Sequence, residues 1–448
     1  MLDEFSMGDP NVESEIMKIL VEICILVGAV FAAVRPKWLF YFLVFALLEP
    51  SRRLSLADYT ILNTINIKYS EITMLLLYAG ALFNRVRPVW QCLKRSLILF
   101  LLCALCSVIR GAWLYHYGDA AFNQFRPFFS MGMFVAVPLL FRTPEDVRPL
   151  LRFFVIVTCL MGAVELAEVL NYNPLSAWVR SDRRLITVSF LGGTTGAILA
   201  MPFLYLLSVW RISTSSRISS IAVMIWCFVL SVLSASRGVW LGLITGASGL
   251  LWFMPLRRKI SLLWTAALLV LLVVIGLKSF YIERYNMAIM DRFRSFVDPH
   301  EGTARWRLDA WYAMIENIRQ RPLLGWPFGA ELPFYVYSAG YYEYQAPHND
   351  YLKIGCYTGL LGLGCFLSFL AAILIPVFRL LYRLPYSAAY FELAGLLMCF
   401  MFHIILSCVT QEFTTQEISP IIWGIAGLLH LYVLTHDAQA AATAGVPV

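Results

Sequence analysis

His348 is the residue in this chain best suited to move a proton. It stands in Ala346-Pro347-His348-Asn349-Asp350-Tyr351-Leu352, at the threshold of an apolar run. An imidazole titrates near neutral pH, so it can take the proton from a hydroxyl as that hydroxyl attacks. The same position also reads as a hydrogen-bonding or capping residue, and Asn349 or Asp350 caps the following helix in either role. Arginines are the second group with chemistry to offer. Arg180, Arg183 and Arg184 precede an apolar run that begins near Thr187, Arg126 and Arg110 border two others, and Arg237 lies in Ser234-Ala235-Ser236-Arg237-Gly238. Charge beside hydrocarbon is costly and faces a partner or a watery cavity. Glu165 and Glu168, at the end of their own apolar run, are candidate partners. One reading is structural, with ion pairs and side chains that snorkel to lipid phosphates. The other is a cationic pocket for an anionic group, with phosphate the natural guest of guanidinium forks.

The segment that must position these residues is 280–349, polar and far longer than an ordinary connection, and loops of such length are usually functional. It carries Arg284, Arg292, Arg294, Arg305, Arg307, Arg319 and Arg321 against a similar number of acids. Thr303 to Arg319 predicts an amphipathic helix, with Trp306, Ala310, Met314 and Ile318 on one face. Arg321-Pro322-Leu323-Leu324-Gly325-Trp326 ends it. Aromatics follow in Phe334-Tyr335-Val336-Tyr337 and Tyr341-Tyr342-Glu343-Tyr344. They read either as an interfacial belt or as the lining of a groove where sugar rings stack. Beyond His348, Gly355, Gly359, Gly362 and Gly364 predict a face that neighbouring helices approach closely.

The remainder of the 448 residues is mostly membrane-length apolar sequence. Hydrophobic residues make up 60% and charged ones only 14%, against roughly 25% charged in soluble domains, and the mean hydropathy is +0.71. Runs of this length span hydrocarbon as helices, because lipid offers an amide no partner. The expected spans are about 16–34, 38–49, 71–84, 92–115, 127–141, 149–170, 187–209, 217–234, 238–255, 259–279, 350–377, 389–409 and 417–434. The fold class is therefore an all-α polytopic membrane protein with about 12 (12–13) transmembrane helices and a large, partly helical outer loop. Residues 1–279 form the N-terminal part of the bundle, 280–349 the loop, and 350–448 the C-terminal helices and a short tail. Short basic loops at Arg35/Lys37, Arg85/Arg87/Lys94/Arg95, Arg142/Arg148, Arg211/Arg217, Arg257/Arg258/Lys259 and Arg379/Arg383 alternate as the positive-inside rule requires. They place 171–186, 280–349 and 409–417 outside. The net charge of +7 resides in those loops and implies no nucleic-acid partner. The acidic start, Met1 to Glu15, does not resemble a cleavable signal peptide. Most of the ten cysteines fall inside apolar runs without metal-ligand spacing and read as packing residues, so no metal site is expected.

In combination, Gly302-Thr303-Ala304-Arg305 with Trp311, Arg321 to Trp326, His348 to Leu352 and Gly359-Leu360-Leu361-Gly362 resemble the O-antigen ligase and O-antigen polymerase superfamily. Ser234 to Gly238 resembles a further motif of it. So does Arg184 ahead of its span, although the usual Gly-Phe-Asn pattern there is blurred to Ile186-Thr187-Val188-Ser189-Phe190. Motif-level resemblance covers about 180–364. It implies a GT-C type glycosyltransferase of the bacterial inner membrane, with its active site on the periplasmic side, that needs no metal or other cofactor. Such enzymes move a glycan from an undecaprenyl diphosphate carrier to a hydroxyl of the lipid A–core oligosaccharide (ligases) or of another lipid-linked glycan (polymerases). Carried over, His348 is the general base. Arg184, Arg183, Arg237 and one of Arg305 or Arg307 hold the donor diphosphate, with Arg126, Asn349, Tyr351 and Glu165 as supporting candidates. A lipid-linked glycan transporter is the rival of another class, but it places its polar residues at mid-membrane between repeats, and no repeat is apparent here.

Overall fold

The computed structural model describes residues 34–48, 60–62, 67–171, 193–209, 217–234, 236–261, 302–337, 340–344 and 347–443, with single positions near 27–31 and within 263–271. The expected spans 16–34 and 259–279 lie largely outside the described residues, as do Arg180, Arg183, Arg184, residues 280–301 and the Glu168 side chain.

The chain is an all-α membrane protein apart from two small hairpins. Its elements run α1 (Lys37–Leu48), β1 (Thr60–Leu62), β2 (Ile67–Lys68), α2 (Tyr69–Phe83), α3 (Val89–Cys92), α4 (Arg95–Ile109), α5 (Gly118–Phe125), α6 (Gly132–Leu140), α7 (Arg148–Asn171) and α8 (Gly193–Val209). They continue with α9 (Arg217–Leu233), α10 (Arg237–Phe253), α11 (Gly302–Gln320), β3 (Phe334–Val336), β4 (Tyr341–Glu343), α12 (Asp350–Arg383), α13 (Ala388–Leu406) and α14 (Ser419–Thr443). Among the described residues, five helices are long and apolar enough to cross a membrane: Arg95–Leu114, Pro144–Ala167, Asp350–Arg383, Ala388–Leu406 and Ser419–Thr443. The expected span 127–141 begins as a tight 3-10 stretch, Arg126–Met131, before α6 takes over.

Packing sorts the bundle into two ends. At one end the basic loops are tied down. Arg87 donates to the carbonyls of Pro138 (3.1 Å) and Phe141 (2.5 Å), and Arg148 pairs with Glu392 at 3.0 Å. Helices α2, α8, α10, α12 and α14 begin at the opposite end, where α11 and the β3–β4 hairpin also lie. In the core, α12 packs on α4, α14 on α6, and α13 against α8 and α10. Trp423 is fully buried and stacks on Phe369 and Phe413 (centroids 5.5 and 5.1 Å).

Helix α12 is broken at Gly359, whose φ of 69° and ψ of −178° are open essentially to glycine alone. A break at membrane depth frees backbone groups that must find partners, and four of them find partners outside the helix. The amides of Leu360 and Leu361 donate to the carbonyls of Pro322 (2.7 Å) and Leu323 (3.4 Å). The Cys356 carbonyl accepts from the Trp326 amide at 2.7 Å, and that of Tyr357 accepts from Ser107 Oγ at 2.5 Å. Arg110 completes the lacing by donating to the carbonyls of Leu324 (2.8 Å) and Gly325 (3.0 Å). The Arg321–Trp326 turn is thus inserted into the break. This corrects the expectation drawn from the glycine spacing. Gly355 does meet Ile318 of α11, but Gly359 admits a loop backbone, not a helix, and Gly364 faces nothing within 4 Å.

These positions make a matched pair. Gly359→Ala combines a forbidden dihedral with a clash against the Leu323 carbonyl, and is expected to destabilise by about 3 kcal/mol or more. Gly364→Ala is expected to stay within about 1 kcal/mol of the parent, in the stabilising direction. Denaturation midpoints in detergent check both, and equal midpoints for the two variants contradict the account of the break.

Candidate active site

The amphipathic face foreseen for α11 forms as expected. Ala310 and Met314 are buried, Ile318 lies against Gly355, and the Met314 carbonyl accepts from Cys356 Sγ. The other side of α11 carries β3, with Ala310, Phe334 and Val336 in one cluster beside Trp306 and Trp311. Trp311 Nε1 donates to the Pro347 carbonyl at 2.9 Å and so fixes the approach to His348.

His348 occupies a left-handed conformation, φ 47°, that few non-glycine residues adopt. The following backbone turns at once into α12. Asn349 caps the helix, its Oδ1 accepting from the Leu352 amide at 3.0 Å, while its Nδ2 donates to the Cys408 carbonyl at 2.9 Å. Asp350 is wholly buried. Its carboxylate accepts from the Phe413 amide (2.8 Å) and Thr414 Oγ1 (2.5 Å), and its own amide donates to the Ser407 carbonyl. Tyr351 donates to the Ile404 carbonyl at 2.8 Å. The start of α12 is therefore sewn residue by residue to the α13–α14 connection. That connection is itself stiffened by the buried His403–Glu412 pair, Nδ1 to Oε2 3.0 Å, and by Thr410 Oγ1 on Glu412 at 2.8 Å.

The same connection receives α10. A Cβ on Gly238 would run into Leu406 and touch Val409 and Thr410, so Arg237, the first residue of α10, lies at the same end as His348. Gly193, where the chain emerges from the stretch that carries Arg183 and Arg184, is adjacent to Ser236 Oγ (3.5 Å from an ideal Cβ). Glu165, in α7, accepts from Thr195 Oγ1 at 2.7 Å.

The remaining arginines divide by surroundings. Arg305 is 46% exposed and reaches Asp309 at 3.7 Å. Arg307, two residues on and so across the helix, is close enough to His348 to act on its charge. Arg126 is buried, and its fork is taken up by Glu71 (2.5 and 2.7 Å) and Asn123 (3.0 Å). Arg110 serves the Leu324 and Gly325 carbonyls, as described.

His348 is half-buried beside the Trp306 ring, centroids 5.4 Å apart, and among the described residues no hydrogen bond holds its ring nitrogens. Burial first, and then the charges of Arg307 and Lys353, push its pKa below the ordinary 6.5. The ring is thus neutral at physiological pH, with a lone pair available, beside a guanidinium in a site partly shielded from water. That arrangement can accept a proton and stabilise developing negative charge close by.

Residues 222–367 match the family model of the O-antigen ligase. Over these residues the chain is similar to the O-antigen ligase family. The match runs from α9 through α10, α11 and the hairpin into α12, and encloses Arg237, Arg305, Arg307, His348, Asn349 and Tyr351. No curated protein matches the chain. The α13–α14 connection, which frames the site, lies beyond the matched residues. The structure adds to the site's surroundings His403, Glu412 and Thr414, which sequence reasoning passed over. A histidine within an apolar run was the available signal for the first of them.

Because the His348 pKa is lowered, the ring loses its proton at a lower pH than a free imidazole. Its titration midpoint is expected below 6.5, with the acid limb of any rate profile that depends on it displaced the same way. Arg307→Ala removes one of the charges and raises the midpoint. Proton–carbon NMR of histidine-labelled protein reads this directly. A midpoint at or above 6.5, or one indifferent to Arg307→Ala, contradicts the assigned environment.

Proposed function

We propose that the chain is a glycosyltransferase of the ligase type, moving a glycan from an undecaprenyl diphosphate carrier to a hydroxyl of a lipid A–core acceptor. The arrangement that supports the reading, within the residues that match the family model, is the half-buried His348 ring beside Trp306, its nitrogens without a hydrogen bond among the described residues, with Arg307 close enough to act on its charge. In this mechanism His348 takes the acceptor proton as the hydroxyl oxygen bonds to the anomeric carbon. The bond from that carbon to the diphosphate oxygen breaks in line, and the configuration inverts. Negative charge grows on the departing diphosphate, where fixed guanidiniums contribute several kcal/mol, on the order of that from other preorganised donors. Arg307, Arg237, Arg183 and Arg184 take this role, and Arg305 stands by on the Asp309 side of α11. Asn349 and Tyr351 hold the base in place through Cys408 and Ile404. Arg126 and Glu165 act through the frame of the bundle. With arginines in that role, no metal or other cofactor is required.

The reading includes a topology. The basic loops face the cytoplasm of a bacterium, the chain crosses the inner membrane about 12 times (12–13), and the site opens to the periplasm. Residues 1–279, 280–349 and 350–448 act as the N-terminal bundle, the site-bearing loop and the C-terminal helices.

His348→Ala is expected to lower transfer by about 10²- to 10⁴-fold while the protein still inserts and binds the lipid-linked donor. Purified enzyme with one defined donor and both acceptors, analysed by mass spectrometry, is the measurement. Product on the lipid A–core supports the ligase. A lengthened carrier-linked chain replaces it with a polymerase. Undiminished transfer by His348→Ala removes the mechanism.

A further inference from the structure

The β3–β4 hairpin pairs Phe334 with Glu343, Tyr335 with Tyr342 and Val336 with Tyr341. Alternation along the strand turns Phe334 and Val336 into the α11 cluster and leaves Tyr335 facing outward. Tyr335 meets Tyr342 across the hairpin and Tyr337 along it, ring centroids 5.2 and 5.1 Å apart, both edge to face. Tyr337, Tyr342 and Tyr344 are each more than 60% exposed. The hairpin is anchored by its other side, where the Tyr337 amide donates to Asp309 Oδ2 at 3.1 Å. Tyr335, Tyr337 and Tyr342 thus stand together in the open on a fixed support, with Tyr344 next along the same face by alternation, and so large an aromatic surface marks a site of contact.

Charge says what the contact is with. From Pro322 to Leu352 the sequence holds no lysine or arginine, whereas Glu331, Glu343 and Asp350 are acidic. An element that lies on an anionic membrane surface combines its aromatics with basic residues, and this one lacks them. The nearby guanidiniums, Arg305 and Arg307, sit on α11. A tyrosine ring offers a flat apolar face to sugar C–H groups and a hydroxyl to their oxygens. The path to the base is short: Phe334 packs on Trp306 (5.2 Å) and Trp306 on His348 (5.4 Å).

We propose that the tyrosine face of the β3–β4 hairpin is a binding platform for uncharged sugar rings, and that it holds the acceptor glycan with its hydroxyl toward His348. The second half rests on the transferase reading; the binding of neutral sugar does not. The division of the site follows. Phosphates belong to the guanidiniums of the helix side and neutral rings to the hairpin.

The test uses the full chain in nanodiscs without donor, so transfer plays no part in the readout. Saturation-transfer NMR is run with maltotetraose and chitotetraose as neutral probes and with tetragalacturonate as an anionic one. The neutral probes are expected to bind, the anionic one more weakly. The double variant Y335A/Y342A is expected to weaken neutral binding about tenfold, and Y335F/Y342F, which keeps the rings, to stay within about threefold. The tyrosine signals that Y335A/Y342A removes are expected to broaden with a water-soluble paramagnet. No transfer to either neutral probe, or equal affinity in the alanine variant, overturns the proposal. So does broadening of those signals by headgroup-nitroxide lipid, which assigns the hairpin to the membrane surface. If tetrasaccharides bind but His348→Ala transfers glycan normally, the transferase mechanism falls and the platform stands.

Discussion

The structure turns on an interruption. At Gly359 a helix in an apolar bundle stops being a helix, and lipid supplies nothing to the amides and carbonyls set free. The amides of Leu360 and Leu361 and the carbonyls of Cys356 and Tyr357 are satisfied by the backbone of Pro322, Leu323 and Trp326 and by the Ser107 hydroxyl. A polar extramembrane segment is thereby bonded, main chain to main chain, into the bundle. Those bonds fix where α11 ends, and α11 carries Trp306, Arg307 and Trp311. The position of His348 is consequently set from below by α12 and from the side by α11.

The second constraint is the α13–α14 connection, which acts as the common mount for α10 and α12. It takes in an unusual density of buried polar groups: Asp350, Thr414, His403 and Glu412. A buried carboxylate is tolerable only with its lone pairs occupied. The Phe413 amide and Thr414 hydroxyl do this for Asp350, and stacking of Phe413 on Trp423 keeps that amide in place. The consequence for the His348 end of the bundle is a polar, closely hydrogen-bonded rim surrounded by apolar packing. Charges there act on one another more strongly than in water, and His348, its pKa lowered first by burial and then by Arg307 and Lys353, lies in that setting.

The amphipathic face of α11 could be read from spacing, as could the start of α12 at Asn349-Asp350 and the segregation of basic loops. Each is a local pattern: helical periodicity, a capping residue, a charge count. Arg126 could be flagged as an arginine beside apolar sequence, but its partner could not be named. Glu71 lies 55 residues away, and Glu165 and Glu168, nearer in sequence, looked just as suitable. Gly359 shows the opposite error. Its spacing with Gly355, Gly362 and Gly364 fits a helix-packing face, while its role depends on a positive φ and on a loop whose sequence ends more than 30 residues earlier.

Hydropathy along the chain was enough to mark the helices Arg95–Leu114, Pro144–Ala167, Asp350–Arg383, Ala388–Leu406 and Ser419–Thr443 as apolar enough to cross a membrane, because the free energy of placing apolar or charged residues in hydrocarbon is nearly additive along the chain. The sequence by itself also determined which residues had the chemistry to act, since an imidazole or a guanidinium carries its proton affinity and hydrogen-bonding geometry wherever it goes. Tertiary structure alone decided which of them meet. The proximity of Arg307 and His348, the seating of α10 on Thr410 and the filling of the break at Gly359 all join residues distant in sequence. Such contacts are selected by close packing and by the cost of leaving buried polar groups without partners, conditions that belong to the folded chain as a whole.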